Sequence, residues 1–198
     1  MTRPKIGIIL TTTRAGRFGE RPANWLLDIA KARGDADYEI VDLRDYPLPY
    51  FDEPVSPRVK PSDNEVALRW TAKLDALDGY VFVTAEYNHA VTGVLKNALD
   101  YVYAETGRKP AAFLGYGAVG GARAVEQLRL ILAEQAVAPI KSAVHINSEP
   151  YLGLFKDGKD FADYPYLGDS AVAMLDELVW WARVLAAGRA QAKLAQAA

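Results

Sequence analysis

Val81-Phe82-Val83-Thr84-Ala85-Glu86-Tyr87-Asn88 is the stretch whose reading decides the fold. It opens with a β-branched and aromatic run suited to a strand buried on both faces of a parallel sheet, and it ends in polar Glu86, Tyr87 and Asn88. From Thr92 onward, Leu95, Ala98, Leu99 and Val102 recur at helical spacing, while Lys96, Asn97 and Asp100 fall on other faces. The unit is a strand, a polar tip and a crossover helix. In open parallel sheets ligands bind beyond the carboxyl ends of strands, where strand order reverses, so Glu86, Tyr87 and Asn88 lie where a ligand is expected.

The same alternation repeats on both sides. Lys5–Leu10 is a short apolar run that predicts a central strand, and a helix follows from about Glu20 to Ala32. Pro22 is tolerated in its first turn, Trp25, Leu26, Ile29 and Ala30 form its buried stripe, and Gly34 ends it. Tyr38–Asp42 is the second strand. It empties into Tyr46–Pro61, where five prolines forbid regular structure and Tyr46, Tyr50 and Phe51 suit a lid, binding loop or interface. Ser62 and Glu65 have capping-box spacing and open a helix with Val66, Trp70, Leu74 and Leu77 inward, which Gly79 closes.

Beyond the opening unit, Ala111–Leu114 is a fourth strand and Ala122–Glu134 a helix with Val125, Leu128, Ile131 and Leu132 inward. A fifth strand runs near Ile140–Ile146. Residues 147–168 read as a long loop, and Asp169 and Ser170 open a last helix carrying Met174, Leu175, Leu178, Val179, Ala182 and Leu185. The Ala/Gln-rich tail after Gly188 is expected to fray. Strands alternating with helices imply an α/β, doubly wound parallel sheet, because parallel neighbours need crossover connections.

Composition bounds the function. The 198 residues, 51% of them hydrophobic, suffice for one sizeable core, so residues 1–198 read as a single domain. A net charge of -2, with basic and acidic residues interspersed, argues against a nucleic-acid partner. No apolar run is long enough to cross a bilayer, and residues 1–10 run into a strand without a cleavable signal pattern; the expectation is a cytoplasmic protein with no membrane partner. The absence of cysteine removes disulfide and thiol chemistry, and two separated histidines argue against a metal site.

Two further loops carry candidate chemistry. Residues 11–19 place three threonine hydroxyls, Arg14, Arg17 and two glycines between a strand and a helix, a good phosphate site; a solvated basic turn is the competing reading. The Walker Lys-Ser/Thr ending is missing, which disfavours ATP or GTP hydrolysis. Gly115-Tyr116-Gly117-Ala118-Val119-Gly120 matches the dinucleotide fingerprint in letter, but it follows the fourth strand, and the next strand ends near Asn147 without an acid at its tip. These glycines more readily let the backbone approach a flat ligand, with helix-start amides favouring negative charge on it.

Together the three loops resemble the NAD(P)H-dependent FMN reductase family of flavodoxin-like proteins, whose relatives include quinone, chromate and azo-dye reductases. Residues 11–18, Thr-Thr-Thr-Arg-Ala-Gly-Arg-Phe, are similar to its phosphate loop; Ala85-Glu86-Tyr87-Asn88 with the Gly93–Asp100 segment resembles its Pro-Glu-Tyr-Asn and Gly-x-Leu-Lys-Asn-Ala-x-Asp; residues 117–123 resemble its third flavin loop. The departures are Thr11 for a glycine, Thr12 and Arg17 for serines and Ala85 for the proline. The resemblance runs from about Lys5 to Ile146 and implies a flavodoxin-like five-stranded parallel sheet in the order 2-1-3-4-5.

What it implies for function is specific. Thr12, Arg14, Arg17 and Phe18 would hold the FMN phosphate and the start of the ribityl chain; Ala85, Glu86, Tyr87 and Asn88 would border the isoalloxazine, and Gly117 and Gly120 its other side. Hydride would pass from NADPH or NADH to the flavin and electrons on to a small-molecule acceptor such as a quinone, free flavin, azo dye or metal oxyanion, with no side chain required as catalyst. Backbone amides near Tyr87 and Gly120 would favour negative charge on the ring. The resemblance also implies a homodimer or homotetramer.

The same residues have plainer readings. Tyr87 also suits the core, His89 reads as a loop histidine and His145 as structural. Trp25 and Trp70 sit on core stripes, while Trp180 and Trp181 face two directions, so one of them could cover a partner subunit. The alternative functions are a flavodoxin-type electron carrier, against which the small net charge counts, and a nucleotide- or sugar-phosphate-binding module using only the first loop.

Overall fold

A computed structural model describes residues 3–197; Met1, Thr2 and Ala198 lie outside the described residues. Five strands form one sheet in the order β2-β1-β3-β4-β5, all parallel: β1 Lys5–Leu10, β2 Asp37–Asp42, β3 Gly79–Ala85, β4 Pro110–Tyr116 and β5 Ala138–Ile146. The flavodoxin-like order is the expected one. Register carries the functional consequence, since Leu10 pairs Asp42 and Val83, Ala85 pairs Tyr116, and Tyr116 pairs Ile146. Every strand therefore ends along one edge, and residues 11–19, 86–92 and 117–121 leave from it together.

Period-two alternation divides the core into two layers. On one face Ile6, Ile8, Leu10, Val81, Val83, Leu114 and Val144 pack against Leu26 of α1 (Glu20–Arg33) and Met174, Leu175 and Leu178 of α6 (Pro165–Ala197). On the other, Ile9, Val41, Phe82 and Phe113 pack against Trp70 of α2 (Glu65–Asp75), Leu95 and Leu99 of α3 (Gly93–Asp100) and Leu128 of α4 (Ala122–Glu134). β3 and β4 are buried at every position, as a central strand pair covered by helices on both faces must be. Trp181 packs against the core while Trp180 is exposed, so the pair does face two ways.

Four local expectations are corrected. The cap of α2 is Asn64, not Ser62: the Asn64 side chain accepts from the N–H groups of Val66 and Ala67, whereas Ser62 Oγ accepts from the Asn64 N–H and bonds Glu53. Gly79 opens β3 and does not close α2, because the Asp78 N–H already donates to Lys5 O and draws the chain into the sheet. Residues 147–168 are not one loop. They contain α5, Ser148–Phe155, and α6 begins at Pro165, where a missing N–H is tolerated in the first turn. The tail beyond Gly188 continues α6 to Ala197.

Candidate functional site

A cleft of about 310 Å³ opens at the carboxyl edge of β1, β3 and β4. Arg14–Phe18 line it from the first loop, Ala85, Glu86 and Tyr87 from the second, and Tyr116, Gly117 and Ala118 from the third. The three separated turns do converge. A wider cleft of about 500 Å³ between α3 and α4 receives none of these loops and lies away from the strand ends.

The first loop is built to present N–H groups. Thr11 Oγ1 donates to Val83 O at 2.9 Å, and Thr92 Oγ1 donates to Thr11 O at 2.6 Å while capping α3, so the loop root is tied to the next crossover unit. Gly16, at φ 63°, closes a turn in which the Arg17 N–H donates to Arg14 O. Among the described residues, the N–H groups of Thr13, Arg14, Ala15 and Gly16, all exposed, find no acceptor within the protein and are open to solvent or to an anion.

The two arginines of this loop part company. Arg14 is exposed, with its guanidinium carbon 5.7 Å from the centroid of the Tyr87 ring. Arg17 has a side chain only 2% exposed and forks onto Asp42 at the end of β2, with further bonds to Glu20 and to the Thr12 carbonyl. Burial disfavours the Asp42 carboxylate, yet the Arg17 fork and the Arg44 N–H hold its pKa below the ordinary range. Thr12 is buried, its hydroxyl 3.3 Å from the Tyr116 phenol and so turned inward. Burial pushes that phenol up to about 12, so it stays protonated.

In the second loop, Glu86 lines the cleft but its carboxylate points at the start of α4, where it pairs with the Arg123 guanidinium and accepts the Arg123 N–H at 3.2 Å. Burial raises the Glu86 pKa, and the Arg123 contacts more than reverse this and hold it below its usual value. Tyr87 and Ala90 exchange two backbone bonds of 3.1 Å around Asn88 and His89, whose φ values of 50° and 71° make a two-residue hairpin turn. The turn carries Asn88 and His89 to the exposed tip, outside the cleft lining.

In the third loop, Gly117 lines the cleft, whereas Gly120 turns toward β5: at φ 66° its carbonyl lies 2.8 Å from His145 Nδ1, which fixes the proton on that nitrogen. Ser148 Oγ donates to Ala118 O at 2.8 Å. Both tethers occupy carbonyls and hold the loop from behind.

Sequence reasoning missed the fourth wall. Tyr151 and Phe155 of α5 line the cleft, and Phe18 meets Tyr151, Tyr116 and Phe155 edge-on at ring distances of 4.9, 5.2 and 5.9 Å. Their i, i+4 spacing was the available signal, hidden by the glycines, aspartates and prolines around it. Arg21 fixes α5 by bonding Leu154 O and, at 2.6 Å, Lys159 O.

Three comparisons bear on this cleft. Residues 4–150 match the family model described as NADPH-dependent FMN reductase. The chain is 40% identical over 147 residues to an NAD(P)H-dependent FMN reductase from Nectria sp, covering 69% of this chain and 73% of that one, and 32% identical to a 2-hydroxy-1,4-benzoquinone reductase from Burkholderia sp, covering 65% and 70%. In fold it is similar to the flavoenzyme NAD(P)H:(acceptor) oxidoreductase FerB from Paracoccus denitrificans, with a TM-score of 0.68 at 21% identity over 88% of this chain and 97% of that one. With the family match spanning all three converging loops, the chain belongs to the NADPH-dependent FMN reductase family.

Proposed function

We propose that this protein is an FMN-dependent oxidoreductase that draws hydride from NADPH or NADH and delivers electrons to a small-molecule acceptor such as a quinone, free flavin, azo dye or metal oxyanion. The observation that carries this reading is the convergence of open backbone N–H groups and a narrow, partly aromatic cleft on one sheet edge. Bound FMN would supply the redox chemistry. The chain's own residues do the rest.

The residues present fit that cofactor. The N–H groups of residues 13–16, at the approach to α1, and the exposed Arg14 meet a phosphate; Ala85, Tyr87, Gly117 and Ala118 border a flat ring; Phe18, Tyr116, Tyr151 and Phe155 keep water from one wall. Glu86 acts behind the ring site by bracing the second loop to α4, and Asn88 supports it through the hairpin turn. Thr12 and Gly120 hold their loops in shape from inside.

The test is anaerobic addition of NADPH, then NADH, to FMN-loaded protein. Loss of the flavin's visible absorbance within seconds is expected. Retention of the colour with both would leave the electron-carrier reading, which the reductase names of the relatives do not favour.

We further read residues 1–198 as one domain of a cytoplasmic homodimer or homotetramer. The exposed Val172, Trp180 and Val184, spaced along one stripe of α6, support the assembly. No helix among the described residues is long and apolar enough to cross a membrane.

A further inference from the structure

The phosphate loop carries two arginines, and a dianion beside them would ordinarily be expected to engage both. The contacts around Arg17 point the other way. A guanidinium has five N–H donors. In this chain Nε donates to Glu20 at 3.0 Å, Nη1 to the Thr12 carbonyl and to Asp42 Oδ1 at 2.7 Å, and Nη2 to Asp42 Oδ2, while Nη2 also stands 2.9 Å from the Glu20 carboxylate as an ion pair. Four of the five donate inside the protein, and the nitrogen that carries the fifth lies against the Glu20 carboxylate. Two carboxylates oppose its single charge, and Arg44, which bonds Glu20 at 2.9 Å and the Arg14 carbonyl, closes the network.

We propose that Arg17 is a positioning residue which, clamped by Asp42, braces the phosphate loop in its binding conformation and leaves Arg14 as the cation of that loop that meets the phosphate. This inference rests on the reading that FMN binds in the cleft with its phosphate at residues 13–16. The brace works through backbone atoms. By occupying the Thr12 carbonyl and anchoring the loop to the end of β2, Arg17 holds the following N–H groups free of internal acceptors, so the loop need not be reordered when an anion arrives. Arg14 has no carboxylate partner among the described residues and rests over Tyr87, within reach of the same cleft.

The two possible roles of Arg17 predict opposite responses at Asp42. FMN and riboflavin, which lacks the phosphate, are titrated separately into each protein and followed by quenching of flavin fluorescence. The parent is expected to bind FMN at least about tenfold more tightly than riboflavin. Equal affinities would sink the phosphate reading itself, whatever Arg17 does.

For the brace, Asp42→Asn should weaken FMN about tenfold while riboflavin changes by less than about twofold, and Asp42→Glu should restore most of the loss. Arg14→Gln should weaken FMN by a similar factor with riboflavin unchanged. FMN binding to Asp42→Asn that is unchanged or tighter would show a guanidinium released to the phosphate and overturn the proposal. So would equal loss of FMN and riboflavin, which marks a merely structural pair. Arg17→Lys keeps the charge but not the fork and provides the same decision should Asp42→Asn not fold: weaker FMN supports the brace, parental FMN affinity overturns it.

Discussion

A Gly115→Ala protein is expected to bind FMN about 100-fold more weakly than the parent and to unfold about 1–3 kcal/mol more easily. Gly115 lies on β4 between Thr84 and His145, two residues before the third loop begins at Gly117. A Cβ there would clash with the Gly120 carbonyl oxygen and stand 3.3 Å from Gly121 Cα, both backbone atoms that cannot rotate aside. The strand is held by neighbours on both sides, so the loop must move. It would take Gly117 and Ala118 out of the cleft lining and pull the start of α4 away from Glu86. Flavin titration and urea denaturation of the same preparation check the two effects together; parental affinity would show that the third loop does not touch the ligand.

Trp70→Ala should behave in the opposite way, losing about 3–5 kcal/mol of stability while the folded fraction keeps parental FMN affinity within about twofold. Trp70 is fully buried beneath the sheet, and its Nε1–H donates to the Ala98 carbonyl at 2.9 Å, tying α2 to α3. Removing the ring leaves a cavity in the layer formed with Ile9, Val41, Phe82 and Leu95 and strips that carbonyl of its donor. None of these atoms lines the cleft. A urea midpoint unchanged from the parent would contradict the packing described for this layer.

The contrast explains what could be read from the chain alone. Strand order and the three loops were legible because each depends on short-range pattern: a buried apolar run, a polar or glycine tip, then a 3.6-residue stripe. Val81–Asn88 with Leu95 and Leu99 is the clearest case. What escaped depends on partners distant in sequence. The Arg17–Asp42 pair has no local signal, because the two residues stand 25 apart and only β1–β2 pairing brings them together. Glu86 lines the cleft, and its pairing with Arg123, 37 residues on, is equally invisible in the sequence.

Local composition misled in two other places. Ser62 and Glu65 have the spacing of a capping box, but Asn64 is nearer the first free N–H groups and its amide oxygen serves two of them at 2.9 and 3.1 Å. The helical turns of α5 are disguised by Pro150 and Gly153, yet Gly153 lets the Tyr164 hydroxyl approach the helix backbone, into the space a Cβ would take. That close contact lets α5 sit down on the body and hold Tyr151 and Phe155 at the cleft. The wall they form lies beyond residue 150, where the family match ends.

Hydrogen–deuterium exchange with and without saturating FMN tests most directly whether these four segments form the cofactor site. Slowed exchange is predicted in residues 12–18, 85–88, 116–121 and 148–155, with the α3–α4 cleft around Leu99, Tyr103 and Leu130 unaffected. Protection of that second cleft, with the four segments exchanging as in the free protein, would contradict it.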